Sequence, residues 1–357
     1  MPCKTGNGYA RGVRASFRPT SIASIGLVLA VGLGSCGGSA GPPASATCPR
    51  ASTLIPTLLT PVNLATGKRG TPISVGAGPQ QIAITPDGKT AYVIGSNFVT
   101  PISVATDTAG RSIQVGNSVL QGIAITPDGK TVYVASTFDH SVTPITVATN
   151  VAEPPIAVSI DPDAIAITPD GSTAYVLYGG SDGSVSPINL VTHIVGAPIS
   201  VGFEPGGLAI TPDGTTAYLS VRGALLPIDV RTNSTGTPIT AGAGDGAFAI
   251  APDGKTAYVA NPGTGTVTPI TLANRTAGRA IRVGSNVGSV AIAPDGKTLY
   301  VASEGSTTTC AELATVDLVA HVVRSRVAMG ANLINDMVIT PDGHTAYAIT
   351  GPDIQPP

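Results

Sequence analysis

The chain has 357 residues, of which only 11% are charged, with 19 basic against 21 acidic side chains, 44 Gly, 31 Pro and no Trp. So little charge, with no basic run and a slight acidic excess, argues against a nucleic acid or an anionic lipid surface as an electrostatic partner. The composition fits tightly repeated β structure with short loops, rather than a helical or disordered chain.

In chain order, the first segment (1–35) reads as an export signal. Lys4, Arg11, Arg14 and Arg18 precede the apolar run Ile22 to Leu33, which is too short to span a membrane as a stop-transfer helix. Leu33-Gly34-Ser35-Cys36 resembles the bacterial lipobox, which implies cleavage before Cys36 and a diacylglyceryl group on its sulfur. The expectation is an exported lipoprotein on the extracytoplasmic side of the cell membrane. Its mature chain carries 15 basic against 21 acidic residues. Residues 36–52, rich in Gly, Pro, Ser and Ala, read as a flexible tether. Cys48 and Cys310 each precede the third strand of neighbouring repeats, which suggests a disulfide in an oxidising compartment.

Residues 53–357 read as one domain. Pro-Asp-Gly recurs at 86–88, 127–129, 169–171, 212–214, 252–254, 294–296 and 341–343, a period of 40 to 47 residues. Pro presets φ, Asp bonds its own backbone and Gly accepts the left-handed conformation, so each string is a hairpin turn between two strands. A calcium loop would need several oxygen donors at set spacings and is not the reading of these aspartates. Each unit contains four strand-like runs, here called A to D from channel to rim: "QQIAIT", "TAYVI", "VTPISVAT" and "GRSIQVG" in the first unit. The chain opens on runs matching C and D and ends on runs matching A and B. The fold expected is therefore all-β, a seven-bladed propeller whose last blade is completed by both ends of the chain.

The strings "AYVIGSN", "VYVAST", "AYVLYG", "AYLSV", "AYVANPG", "LYVASE" and "AYAIT", with "VTPI" and "ATN", resemble the YVTN repeats of YncE-like bacterial propellers. The resemblance spans roughly residues 57 to 357. It implies a fold shared with lactonases, surface-layer proteins and exported binding proteins, and no catalytic residue to carry over.

Candidate site residues come from the loops between strands D and A and between B and C, which share one face. They carry Asp139, Asp161, Asp163, Asp182, Glu204, Asp245, Glu304 and Asp336, with Arg222 as the clear base. Every Lys of the mature chain (Lys68, Lys89, Lys130, Lys255, Lys297) falls on the opposite face. An acidic mouth favours a cation, a divalent metal such as calcium, or a basic peptide, and Asn117, Asn286, Asn332 and Asn335 add neutral donors. The bland alternative is a solvated acidic face. His140, beside Asp139, is the one histidine in a mouth loop; His193, His321 and His344 fall on turns. Gly179-Gly180-Ser181-Asp182-Gly183 matches a nucleophile elbow in letters, without the strand-to-helix turn that makes such a Ser reactive.

The expected function is a binding or scaffolding module at the bacterial cell envelope, with a protein or small-molecule ligand at the acidic mouth and a lipid link to the membrane. A lactonase-like hydrolase using metal or carboxylates, drawn from His140, Asp161, Asp163, Glu204 and Asp245, is the alternative. A purely structural envelope or surface-layer component is the third.

Overall fold

A computed structural model describes residues 58–351 apart from 160, 181, 204, 243–245, 306–309 and 331–332. The expected signal, the tether, Cys36 and Cys48 lie outside the described residues. Seven antiparallel sheets follow one another along the chain. Each inner strand packs on the inner strand of the next sheet, and the seventh packs on the first. The ring is a seven-bladed propeller.

In blade 1 the strands are Gln81–Ile84, Thr90–Ile94, Phe98–Ser103 and an outer strand in two pieces, Thr108–Ala109 and Ile113–Gln114. Blade 7 closes the ring as the repeat pattern requires. Strand C, Leu58–Asn63, pairs with strand B, Thr345–Thr350, from Leu58↔Thr350 to Asn63↔Thr345. Ile73–Ser74 then forms the rim and Ile334–Ile339 the channel wall. This pairing joins the two ends of the described chain and leaves no blade half built.

The outer strand is not the continuous run that the sequence suggests, and the cause is a proline. Strand C carries Pro61, Pro101, Pro144, Pro187, Pro227 and Pro269, each opposite the Tyr of strand B. Proline has no N–H to donate outward, so the ladder to strand D breaks there. Only the proline carbonyl is used, accepting from Gly70, Gly110, Glu153, Gly196, Gly236 and Gly278. Blade 6 has Thr315 at this position, and its outer strand, Val322–Ala328, runs unbroken.

The core consists of slabs between blades. In one, Tyr92, Ile94 and Val99 of blade 1 interlock with Leu120, Val132, Val134 and Ile145 of blade 2. A fully buried side chain of this size contributes about 1.5–3 kcal/mol by leaving water. The tyrosines also have a polar task. Tyr92 Oη donates to Asn150 Oδ1 (2.8 Å), Tyr175 Oη to Asn233 Oδ1 (2.6 Å) and Tyr347 Oη to the Asp107 carboxylate. Each bond crosses from strand B of one blade to the C–D turn of the next. The residue at this turn position is left-handed in all seven blades: Gly67, Asp107, Asn150, His193, Asn233, Arg275 and His321.

The Pro-Asp-Gly turns join the blades as well. A Cβ on Gly88 (φ +71°) would lie 3.2 Å from Pro341, and the same contact recurs from Gly129 to Pro86, Gly171 to Pro127, Gly214 to Pro169, Gly254 to Pro212, Gly296 to Pro252 and Gly343 to Pro294. Each glycine therefore supplies both its backbone conformation and the room for its neighbour's proline. In five blades a Thr before the turn locks the Asp, as where Thr85 Oγ1 donates to Asp87 Oδ1 (2.7 Å) while accepting from Thr90 N–H (3.1 Å). These bonds hold Asp87 down to about 2, with Asp128, Asp170, Asp213 and Asp342 lowered by the same kind of Thr contact first. Ala251 and Ala293 stand in the Thr position of blades 5 and 6.

Candidate functional site at the channel mouth

The face opposite the Pro-Asp-Gly turns is assembled from the D–A and B–C loops, and in four blades a tie between these loops stays within the blade. In blade 2, Asp139 Oδ2 accepts from Asn117 N–H (2.9 Å) and Ser136 Oγ (2.8 Å), which lowers its pKa. Gly116 passes so close to this carboxylate that no Cβ would fit. In blade 4, the Arg222 guanidinium lies 4.7 Å from the centre of the Phe203 ring. In blade 6, Asn286 Nδ2 donates to Glu304 Oε2, while burial pushes the Glu304 carboxyl above its ordinary range. Blade 1 joins the same loops through Ser96 Oγ and the Ala77 carbonyl (3.3 Å). Sequence reasoning counted the mouth acids as one field; two of them, Asp139 and Glu304, bridge loops inside their own blades.

His140 and Asp161 meet between blades 2 and 3, where Asp161 N–H donates to His140 Nδ1 at 3.3 Å. Both residues are left-handed, with φ of 48° and 54°. Such backbone costs about 1–3 kcal/mol and persists only where surrounding contacts impose it. A groove of about 360 Å³ runs from Asn117, Asp139 and His140 toward the split outer strand of blade 2 at Ala152 and Pro155. Asp182 is exposed on its loop. Phe138 is 67% exposed beside Asp139, whereas Tyr178 is buried. Glu204, Asp245, Asn332 and Ser181 lie outside the described residues.

Asp163 and Asp336 are not loop residues. They stand on the inner strands Pro162–Ile167 and Ile334–Ile339. Asp336 is the charged member of a small-residue ring, at the position held by Gln81, Gly122, Ala164, Gly207, Ala247 and Ser289 in the other blades. Its Oδ2 accepts from Ile82 N–H of blade 1 (3.1 Å) and its Oδ1 from Ser289 Oγ of blade 6 (3.3 Å). One carboxylate thus joins three inner strands across the blade that closes the ring. Desolvation outweighs these bonds and raises its pKa to about 6.

The mouth end of strand A also carries β-bulges, which sequence reasoning missed. The register to strand B slips between Leu120 and Gly122, Pro162 and Ala164, Pro205 and Leu208, Val287 and Val290, and Ile334 and Asp336. Bulges re-aim side chains and collect near binding sites. Here they set out Gln121, Asp163 and Asn335 on blades 2, 3 and 7, and glycines 206 and 288 on blades 4 and 6. A signal existed in the letters, since these strings are one residue too long for straight pairing.

Among the described residues no group of three or more His, Cys, Asp or Glu is placed to share an ion. Cys310, just before strand C of blade 6, is buried and is not free.

No family model matches the chain. No curated protein matches it either. Among solved structures it is similar to a chain titled Kuenenia stuttgartiensis hydrazine synthase, with a TM-score of 0.66 at 21% identity, over 77% of this chain and 93% of that one. At that identity the likeness speaks for the fold alone, and it agrees with the ring of blades: the chain is a seven-bladed β-propeller.

Proposed function

We propose that the chain is an exported, lipid-anchored propeller of the YVTN, YncE-like kind, acting as a binding or scaffolding module at the bacterial cell envelope with its partner at the mouth. The observation that carries this reading is the contrast between faces. One face repeats the same turn seven times, and the other gives each blade its own loop chemistry, with exposed Phe138 and Asp182 and the Arg222–Phe203 stack. Varied loops on an invariant ring suit recognition. Cys36 carries the lipid, and Cys48 pairs with the buried Cys310 to hold the tether to blade 6. Any divalent cation, calcium included, would draw on mouth carboxylates such as Asp161, Asp163 or Asp182 singly, since no three of those described are placed to share one.

Photo-crosslinkers at Phe138 and Phe203 on the mouth, and at Val191 and Val319 on the opposite face, test this in envelope fractions. Specific adducts from the mouth positions are expected; adducts confined to Val191 and Val319 would replace this reading by an envelope building block. Cys36→Ser should move the protein from the membrane to the soluble extracytoplasmic fraction.

A second reading, a lactonase-like hydrolase, draws on Asp336. A carboxyl raised to about 6 is suited to general-base work. Against it, both Asp336 oxygens already accept hydrogen bonds. Thermal melts with EDTA and then calcium, manganese or zinc, followed by a lactone and ester panel, separate the two. A metal-dependent rise in Tm abolished by Asp161→Asn, together with turnover, would favour the hydrolase.

A further inference from the structure

Four consecutive blades place a long polar side chain at the mouth end of strand A: Asn335 on blade 7, Gln80 on blade 1, Gln121 on blade 2 and Asp163 on blade 3. The corresponding positions on blades 4, 5 and 6 are glycines 206, 246 and 288. Asn335, Gln121 and Asp163 are the residues set out by the bulges. Gln80 directly precedes its strand and donates its own N–H to Ile94 O (2.9 Å). Beneath this tier neighbouring inner strands touch at two places. A Cβ on Gly122 would lie 3.0 Å from Ala164 Cα, and Asp336 bridges Ser289 and Ile82. The rim is therefore polar on four blades, with glycine on three.

The side chains define the chemistry of an occupant. Three carboxamides offer donors and acceptors together, which matches the N–H and C=O of an extended peptide backbone. Asp163 adds one negative charge, and no Lys or Arg stands at this tier, so a positively charged segment is favoured over an anionic one. The tier has no aromatic platform on which a sugar ring would stack. Asn335 already uses its Nδ2 in this way, donating to the Pro79 carbonyl at 3.2 Å. On the glycine side Gly288 has open space beside it, where an added Cβ would meet nothing nearer than the Ala302 carbonyl at 4.0 Å, whereas Gly246 packs on the Ala260 backbone.

We propose that the channel rim formed by Asn335, Gln80, Gln121 and Asp163 binds an extended, positively charged peptide segment, its backbone held by the carboxamides and its charge by Asp163. This rests on the reading of the mouth as the partner-binding face and names the chemistry of that partner.

The test uses the full chain purified in detergent and three fluorescein-labelled octapeptides of alternating Gly with Lys, Ser or Glu. Fluorescence anisotropy should show the Lys peptide binding at least tenfold tighter than the Ser peptide, and the Glu peptide not at all. Asp163→Asn should remove most of the Lys preference, and Gln80→Ala with Gln121→Ala should weaken the Lys and Ser peptides alike. Asp128→Asn, on the other face, should change neither. Melting curves for each variant separate lost binding from lost fold. Absence of peptide binding at millimolar concentration, binding indifferent to all rim variants, or preferential capture of chitotriose at the rim would overturn the proposal. Mouth crosslinks at Phe138 and Phe203 that persist when Gln80→Ala, Gln121→Ala and Asp163→Asn are combined would sink this rim alone and leave the broader reading standing.

Discussion

On one face of the ring, seven Pro-Asp-Gly turns touch their neighbours through the same Pro-to-Gly contact, and tyrosines reach across to the next blade's turn. On the other face, the loops of blades 1, 2, 4 and 6 are each tied within the blade by a different device, an Asp–backbone bond, a cation–π stack, an Asn–Glu pair or a Ser–carbonyl bond, and a cross-blade bond such as that of Asp161 to His140 is not repeated around the ring. The difference teaches where repetition comes from. A turn that must fit its neighbour on both sides is held to one solution seven times. A loop tied mainly within its own blade is free to vary, and that freedom is what a binding face needs.

The comparison breaks most visibly at a tyrosine. Tyr175→Ala removes a side chain only 1% exposed and its bond to Asn233, and should cost about 3–5 kcal/mol in urea denaturation. Asp182→Asn on the exposed mouth loop should stay within about 0.5 kcal/mol. A loss below about 1 kcal/mol for Tyr175→Ala would mean the blades are not held together there.

Asp336 and the hairpin aspartates should answer pH with opposite signs. Asp336 has a folded pKa raised to about 6, so its proton favours the folded ring; stability falls as pH rises from about 4 to 6 and is level above that. The hairpin aspartates, lowered in the folded state, stabilise above the ordinary carboxyl range, and that stability fades as pH drops toward 2. Denaturation at pH 4, 5, 6 and 7 should show a decline of about 1–3 kcal/mol that Asp336→Asn flattens. An unchanged pH profile in the variant would place the titrating group elsewhere.

Smaller substitutions sharpen the hairpin side. Gly88→Ala asks for φ +71° and pushes a Cβ toward Pro341, so a loss of about 1–3 kcal/mol and a lower Tm are expected. Tyr175→Phe keeps the packing and removes only the inter-blade bond, for about 1 kcal/mol. Ala251→Thr should give blade 5 the Thr–Asp lock of its siblings and raise stability by under about 1 kcal/mol; a fall would show that blade 5 cannot accept the hydroxyl.

The fold was legible because its punctuation is periodic. Pro-Asp-Gly and the Tyr-Val strand state their spacing outright, and the incomplete units at the two ends announce the closing blade. Less legible were features that depend on a partner strand. The split rim follows from the strand C prolines, with Thr315 as the exception that shows the cause, but only the pairing reveals which side of each proline lacks its donor. Asp163 and Asp336 look like loop acids until the bulges extend strand A to include them. Of the candidate site, the face was readable and the geometry was not, since residues that converge across blades lie from 21 apart, as His140 and Asp161, to 254 apart, as Ile82 and Asp336.

The blade built from both ends sets a constraint on time. Thr60 and Thr350 lie against each other although 290 residues separate them. A ribosome therefore releases the first strand of this blade long before its partner exists, and the ring stays an open arc through almost the whole of synthesis. For that interval the leading strand shows an unsatisfied edge to every neighbouring chain. Assembly of this protein should accordingly be most vulnerable to crowding and to loss of Thr345–Thr350, the strand without which Leu58–Asn63 has no inner partner.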